Sequence, residues 1–229
     1  MGSQASQKAV TAFSPASLRG VCVSIFASLV LAVAGCSQRQ WSNPDDPEGM
    51  YPSFFYDFDD GHANGWLDDG KALCAIEGGE YSMQSPDDSI QHWSLHDFTP
   101  PGDFEFECDV RKIAGGPLGV FGIGIVQADD REVGLFIEQT GMAKVGDFTS
   151  SGGWQDLKNW TDCPAMDTVL GASNLLKMVW RSETLSVYVN GTVFGSFAAT
   201  SNSAIKQVGL YVQNDIHAHF DSVYARSFP

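Results

Sequence analysis

Positive charge is scarce in this sequence of 229 residues: 13 Lys and Arg stand against 28 Asp and Glu, a formal net charge of −15. Nucleic-acid affinity comes largely from Lys and Arg replacing condensed counterions, so a surface this acidic excludes DNA and RNA as partners. A long apolar run is missing too. The uncharged apolar stretch from Val21 to Ala34 falls short of the roughly 20 residues a membrane-spanning helix needs. Cysteines are few and widely spaced, at Cys22, Cys36, Cys74, Cys108 and Cys163, which excludes a thiolate zinc cluster. The chain has no Gly-x-Ser-x-Gly elbow and no evident Ser/His/Asp constellation, so nucleophilic acyl transfer has no visible carrier. Nor does any segment hold the 3.6-residue period of a long helix; Cys163 to Asn174 has room for one turn.

What is present begins with a leader. Lys8 and Arg19 are the only charged residues before Cys36, and the apolar run behind them has the length of a secretory signal core. Val33-Ala34-Gly35-Cys36 resembles the bacterial lipoprotein box, in which cleavage falls before Cys and the thiol receives diacylglycerol. The resemblance implies a signal peptide over 1–35 and an acylated Cys36, palmitate-type chains anchoring the protein to a membrane. One chain holds only marginally, whereas two or three hold well, at about 0.8 kcal/mol per buried methylene. Ser37 follows the cysteine where an Asp would signal inner-membrane retention, which implies the outer membrane or cell surface of a bacterium. Residues 36–53 contain Pro44, Pro47 and Pro52 without periodicity, and read as a lipidated tether. Cys74, Cys108 and Cys163 then remain; if any pair bridges, Cys74 with Cys163 is the expected one.

From Phe54 onward the apolar period is two. Phe104, Phe106, Cys108 and Val110 alternate with Glu105, Glu107 and Asp109; Leu176, Met178 and Trp180 alternate with Lys177 and Arg181. Such runs are half-buried strands. Further strands are expected at Phe54–Asp59, Ala75–Met83, Gln91–Leu95, Leu118–Gln127, Glu132–Gln139, Met142–Phe148, Leu185–Val189, Thr192–Phe197, Gln207–Gln213 and His217–Arg226. Asn190-Gly191 predicts a two-residue hairpin. Strands that never alternate with helices predict an all-β fold, an antiparallel two-sheet sandwich over 54–229.

Several signatures in order, Phe55-Tyr56-Asp57-Phe58-Asp59-Asp60 with Gly65-Trp66, Asp103 to Val110, Leu185 to Gly191, Val208-Gly209-Leu210-Tyr211 and Phe220-Asp221-Ser222-Val223, resemble the concanavalin A-like lectin and glucanase superfamily, in particular its laminin-G-like and 3-keto-disaccharide hydrolase branches. The resemblance implies a jelly roll. It also implies a structural calcium between the terminal strands, for which Asp57, Asp59, Asp60 and Asp221 are the candidate ligands.

Carboxylates two apart on a strand share a face at about 7 Å, so Glu105 and Glu107 are candidates for a glycosidase pair, with Glu138 as a third carboxylate to test; the alternative is a solvent-facing strip opposite a buried one. Glucanases of the superfamily carry Glu-x-Asp where this chain has Glu-x-Glu. His217 and His219, with Asp215 and Asp221 at the same parity, are spread along one strand over about 20 Å, so zinc is not expected there. Glycines at alternate positions, Gly122 and Gly124, leave a strand face bare for close approach of a ligand or a neighbouring backbone. Next to them in sequence, Gln139, Lys144, Asp147, Trp154, Gln155 and Trp160 set indoles beside amides and charged groups, the chemistry that stacks on and hydrogen-bonds a sugar; the alternative is that the tryptophans cover a sheet edge. The expected function is glycan or other extracellular ligand binding without catalysis. A glycoside-processing enzyme and a structural subunit bound to an envelope protein are the alternatives.

Overall fold

Residues 53–66, 73–87, 91–149, 153–199 and 203–228 are described by the structure, a computed structural model. The expected signal peptide, Cys36 and nearly all of the tether lie outside the described residues. In chain order the strands are β1 (Ser53–Tyr56), β2 (Leu73–Glu77), β3 (Glu80–Ser85), β4 (Gln91–Asp97), β5 (Phe104–Gly115), β6 (Val120–Gln127), β7 (Glu132–Glu138), β8 (Met142–Thr149), β9 (Gly153–Asp162), β10 (Ser173–Arg181), β11 (Thr184–Val189), β12 (Thr192–Ala198), β13 (Ile205–Gln213) and β14 (Ile216–Ser227). No helix occurs among the described residues.

The strands form two antiparallel sheets. One has eight strands in the order β12-β11-β10-β5-β14-β3-β2, with β1 on the far half of β14; the other has six in the order β4-β13-β6-β7-β8-β9. The chain changes sheet after β3, β4, β5, β9, β12 and β13, as a jelly-roll sandwich requires. Alternation does what a period of two demands. In β5, Phe104, Phe106, Cys108 and Val110 are fully buried, while Glu107 and Asp109 between them stay partly exposed. Facing them across the sandwich are Ile123, Ile125, Leu135, Val208 and Leu210, each at 0% exposure. Complete removal of such side chains from water contributes about 1.5–3 kcal/mol apiece.

Local departures from expectation have local causes. Ala75–Met83 is not one strand but the hairpin β2–β3, broken by Gly78-Gly79, whose positive φ values of 63° and 88° form the turn. β9 went unforeseen because it is an edge strand, mostly exposed on both faces and pairing with β8 through two register shifts, so Trp-Gln-Asp-Leu-Lys-Asn-Trp never alternates. The segment between Cys163 and Asn174 makes turns and no helix. Cys74, Cys108 and Cys163 are all free thiols, so the condition under which Cys74 was expected to pair with Cys163 is not met. Asn190-Gly191 does turn as a type I′ hairpin requires, with φ of 49° and 76°.

Candidate functional site

The outer face of the six-stranded sheet carries a second, smaller apolar cluster. In β6, β7 and β13 the residues Phe121, Ile123, Leu135, Ile137, Leu210 and Val212 join the main core. Opposite parity leaves Val120, Phe136 and Tyr211 outside, with Trp93 and Trp160 packed against them. The strand register sets a row of glycines directly beneath: Gly209 pairs with Gly124, Gly124 with Gly134, and Gly134 with Gly146. Aromatic rings lie on that row. A Cβ on Gly124 would sit 2.6 Å from Trp93 Cη2, one on Gly134 2.2 Å from Phe136 Cζ, and one on Gly146 1.9 Å from Trp154 Cζ2. Only glycine lets the rings lie this low, and with the inner face of β6 in the main core every residue of that strand is buried.

The next two rows build the walls. Trp93, Tyr211, Gly122, Phe136 and Lys144 are cross-strand neighbours in sequence across β4, β13, β6, β7 and β8, and Gln91, Gln213, Val120 and Glu138 form the row beside them. From these two rows Tyr211, Phe136, Lys144, Gln91, Gln213, Val120 and Glu138, together with Trp154, Trp160 and Asn214, line an open recess of about 320 Å³, with Trp93 packed behind Phe136 and Tyr211. Phe136 packs at 4.7 Å from Tyr211 and 5.5 Å from Trp154, and Trp93 at 4.8 Å from Tyr211, the tilted and edge geometries aromatic quadrupoles favour.

Polar contacts fix the exposed end. Trp154, 42% exposed, donates its indole N–H to Asp156 at 2.7 Å. Lys144 Nζ sits 2.6 Å from the same carboxylate and 4.8 Å from the centre of the Trp154 ring. The Lys144 ammonium, helped by the indole donor, holds the Asp156 carboxyl below the usual carboxylate range. Burial pushes the Tyr211 phenol up, with the charge of Glu132 adding to the effect. The phenol therefore keeps its proton, which it donates to Gln213.

Among the residues singled out in the sequence, Trp154, Trp160, Lys144 and Glu138 meet in this recess. The others do not. Asp147 is buried at 1% exposure and paired with Arg131 at 2.6 Å, so it belongs to the framework. Gln139 donates to the Thr168 carbonyl at 3.2 Å. Gly122 and Gly124 are not bare: a Cβ on Gly122 would be 2.1 Å from the Leu135 carbonyl, and Trp93 covers Gly124. Close approach of a neighbour, not of a ligand, is the use made of them. Tyr211, Phe136, Gln91 and Gln213 were missed, because three separate segments contribute them and only register brings them together.

Glu105 and Glu107 lie on the other sheet. Glu105 pairs with Arg226 at 2.8 Å and Glu107 with Lys177 at 2.6 Å, an ion-pair ladder along the outer face. The four aspartates expected to hold calcium do not gather: among the described residues no three of their carboxylates come within 4.8 Å of one another. Asp60 instead caps a turn through the His62 amide at 2.9 Å.

In sequence, no family model and no curated protein matches the chain. In fold, it is similar to solved jelly rolls. A carbohydrate-binding module from Bacillus subtilis superposes over 69% of this chain and 93% of its own, with a TM-score of 0.55 at 18% identity. A Bacillus licheniformis beta-glucanase superposes over 77% and 98%, with a TM-score of 0.58 at 11% identity. A Bacillus subtilis protein with a galectin-like fold superposes over 77% and 97%, with a TM-score of 0.59 at 9% identity. The fold is an antiparallel two-sheet jelly-roll sandwich. Identities this low speak to architecture alone, because one fold hosts many functions.

Proposed function

We propose that the protein is a lipid-anchored surface module that binds carbohydrate in the recess on the outer face of the six-stranded sheet, without catalysis. The observation that carries this is the composition of the recess: an exposed Trp154 and a half-buried Trp160 stand beside Gln91, Gln213, Asn214, Glu138 and Lys144. Indole faces stack on the C–H side of a pyranose while amides and charged groups pair with its hydroxyls, and both kinds of group are already held in place by the glycine row and the Lys144–Asp156 pair. Pre-organised rings lose little entropy on binding. The similarity in fold to a carbohydrate-binding module and a beta-glucanase supports the reading, as does an acidic surface that calls for a neutral partner.

Catalysis is not favoured. A glycosidase needs two carboxyls about 5 Å apart for retention or 6.5–9.5 Å apart for inversion. Among the described residues Glu138 is the one carboxylate lining the recess, and Glu105 and Glu107 sit on the opposite sheet in ion pairs.

A glycan array with the full chain tests the reading. The wild type is expected to retain a defined set of oligosaccharides, and the Trp154→Ala, Trp160→Ala variant to bind them at least tenfold more weakly, about 1.4 kcal/mol, with an unchanged far-ultraviolet spectrum. Equal binding by wild type and variant would sink it.

A further inference from the structure

The turn that joins β2 to β3 decides which side chains meet beside it. Its two positive φ values make Glu77 and Glu80 direct cross-strand neighbours, where like charges repel. Alongside β3, β14 presents His217 and His219 outward, with His219 opposite Ser82. His217 Nε2 and His219 Nε2 stand 3.2 Å apart. Glu77 Oε2 lies 3.8 Å from the first and 3.5 Å from the second. Asp215 and Asp221, which share the parity of the two histidines, are not part of the group; the third member comes from another strand, two places across the sheet.

We propose that Glu77, His217 and His219 form a binding site for a divalent transition-metal ion of the zinc type, held by two imidazole nitrogens and one carboxylate, with a fourth position open to water. Tetrahedral zinc with Zn–N bonds of about 2.0–2.1 Å sets its nitrogens about 3.3 Å apart, and the two Nε2 atoms already stand at 3.2 Å. The Glu77 side chain is 47% exposed, so its carboxylate has room to close the remaining tenths of an ångström. Glu80 supplies the outer support. It accepts the His219 Nδ1–H at 2.8 Å, which fixes the tautomer that leaves the Nε2 lone pair aimed at the centre, the carboxylate–histidine arrangement found behind metal ligands. Arg111 in turn pairs with Glu80, so Glu80 serves the histidine rather than the ion. Ser82 Oγ, 2.8 Å from His217 Nε2, is the contact the ion would replace. Two imidazoles select zinc-type ions over calcium and magnesium, which take oxygen. A bound ion would relieve the Glu77–Glu80 repulsion and staple the β2–β3 hairpin to β14.

The test is made on the full chain in mild detergent, stripped with EDTA and titrated with Zn²⁺ and Co²⁺. One equivalent of Zn²⁺ per chain, a Zn²⁺-dependent rise in Tm, and a Co²⁺ spectrum with visible bands but no thiolate charge transfer are expected. His217→Ala with His219→Ala should abolish stoichiometric binding. Glu77→Gln, at an exposed position, should weaken it at least tenfold with the fold intact, and Glu80→Gln should weaken it by about 10- to 100-fold. Absence of stoichiometric binding by the wild type, undiminished binding by the double histidine variant, or a cobalt–thiolate band would each overturn the proposal. Glycan retention that survives EDTA keeps this site separate from the recess.

Discussion

Asp147 stood in the sequence as a candidate ligand-binding acid, yet among the described residues it is the most buried carboxylate on the six-stranded sheet, 1% exposed with the Arg131 guanidinium at 2.6 Å. A buried charge is costly to leave without its counterion, far more so than the intact pair is stabilising. Arg131→Met should therefore lower the unfolding free energy by about 3 kcal/mol, read from the denaturant midpoint at constant slope, and should restore part of that loss when combined with Asp147→Leu. A double variant no more stable than Arg131→Met alone would mean that the pair is not what holds β7 and β8 in register there. The same scale explains the recess floor. At Gly146 a single methyl would meet the Trp154 ring, so the aromatic wall of the site depends on residues that carry no side chain at all.

The hairpins show how much an element owes to two residues. Asn190 turns the chain from β11 into β12 at a positive φ of 49°. Its side chain also accepts from the Leu175 amide at 2.8 Å and donates to the Ala165 and Asn174 oxygens at 2.8 and 2.9 Å. Alanine at 190 loses both the tolerance for left-handed backbone and these three bonds. At about 1 kcal/mol for each of the stronger bonds and 1–2 kcal/mol for the backbone, a loss of about 3 kcal/mol is expected, measured as a fall in thermal midpoint; a loss below about 0.5 kcal/mol would show that the turn is set by Gly191 alone. β9 is the contrary case. It pairs only with β8 and through two irregularities, a form that resists pairing with another chain at a sheet edge, and it carries the tryptophans of the proposed site.

For the molecule as a whole, charge and the proposed anchorage pull in opposite directions. A chain of net charge −15 is repelled by anionic lipid, so the proposed attachment to a membrane would have to come from acyl chains. Under the proposed lipidation, Cys36→Ser should move the protein from the detergent phase to the aqueous phase in Triton X-114 partitioning and leave the leader attached in intact-mass spectra. A variant that still partitions into detergent would refute an anchor at that sulfur. The two outer faces divide the work: aromatic and amide groups on the six-stranded sheet, ion pairs and the histidine–glutamate trio on the eight-stranded one.

The two-residue period and the Asn190-Gly191 turn are local properties, and local properties were enough to determine an all-β sandwich and its main core positions in β5, β10 and β11. Trp154 and Trp160 were legible because indoles beside polar residues are distinctive in one short stretch. The remaining walls of the recess, the glycine row beneath it and the approach of Glu77 to His217 and His219 depend on register between strands far apart in the chain. A slip of one residue turns every side chain to the other face, so pairing, which only the folded sheets fix, decides which of these groups meet.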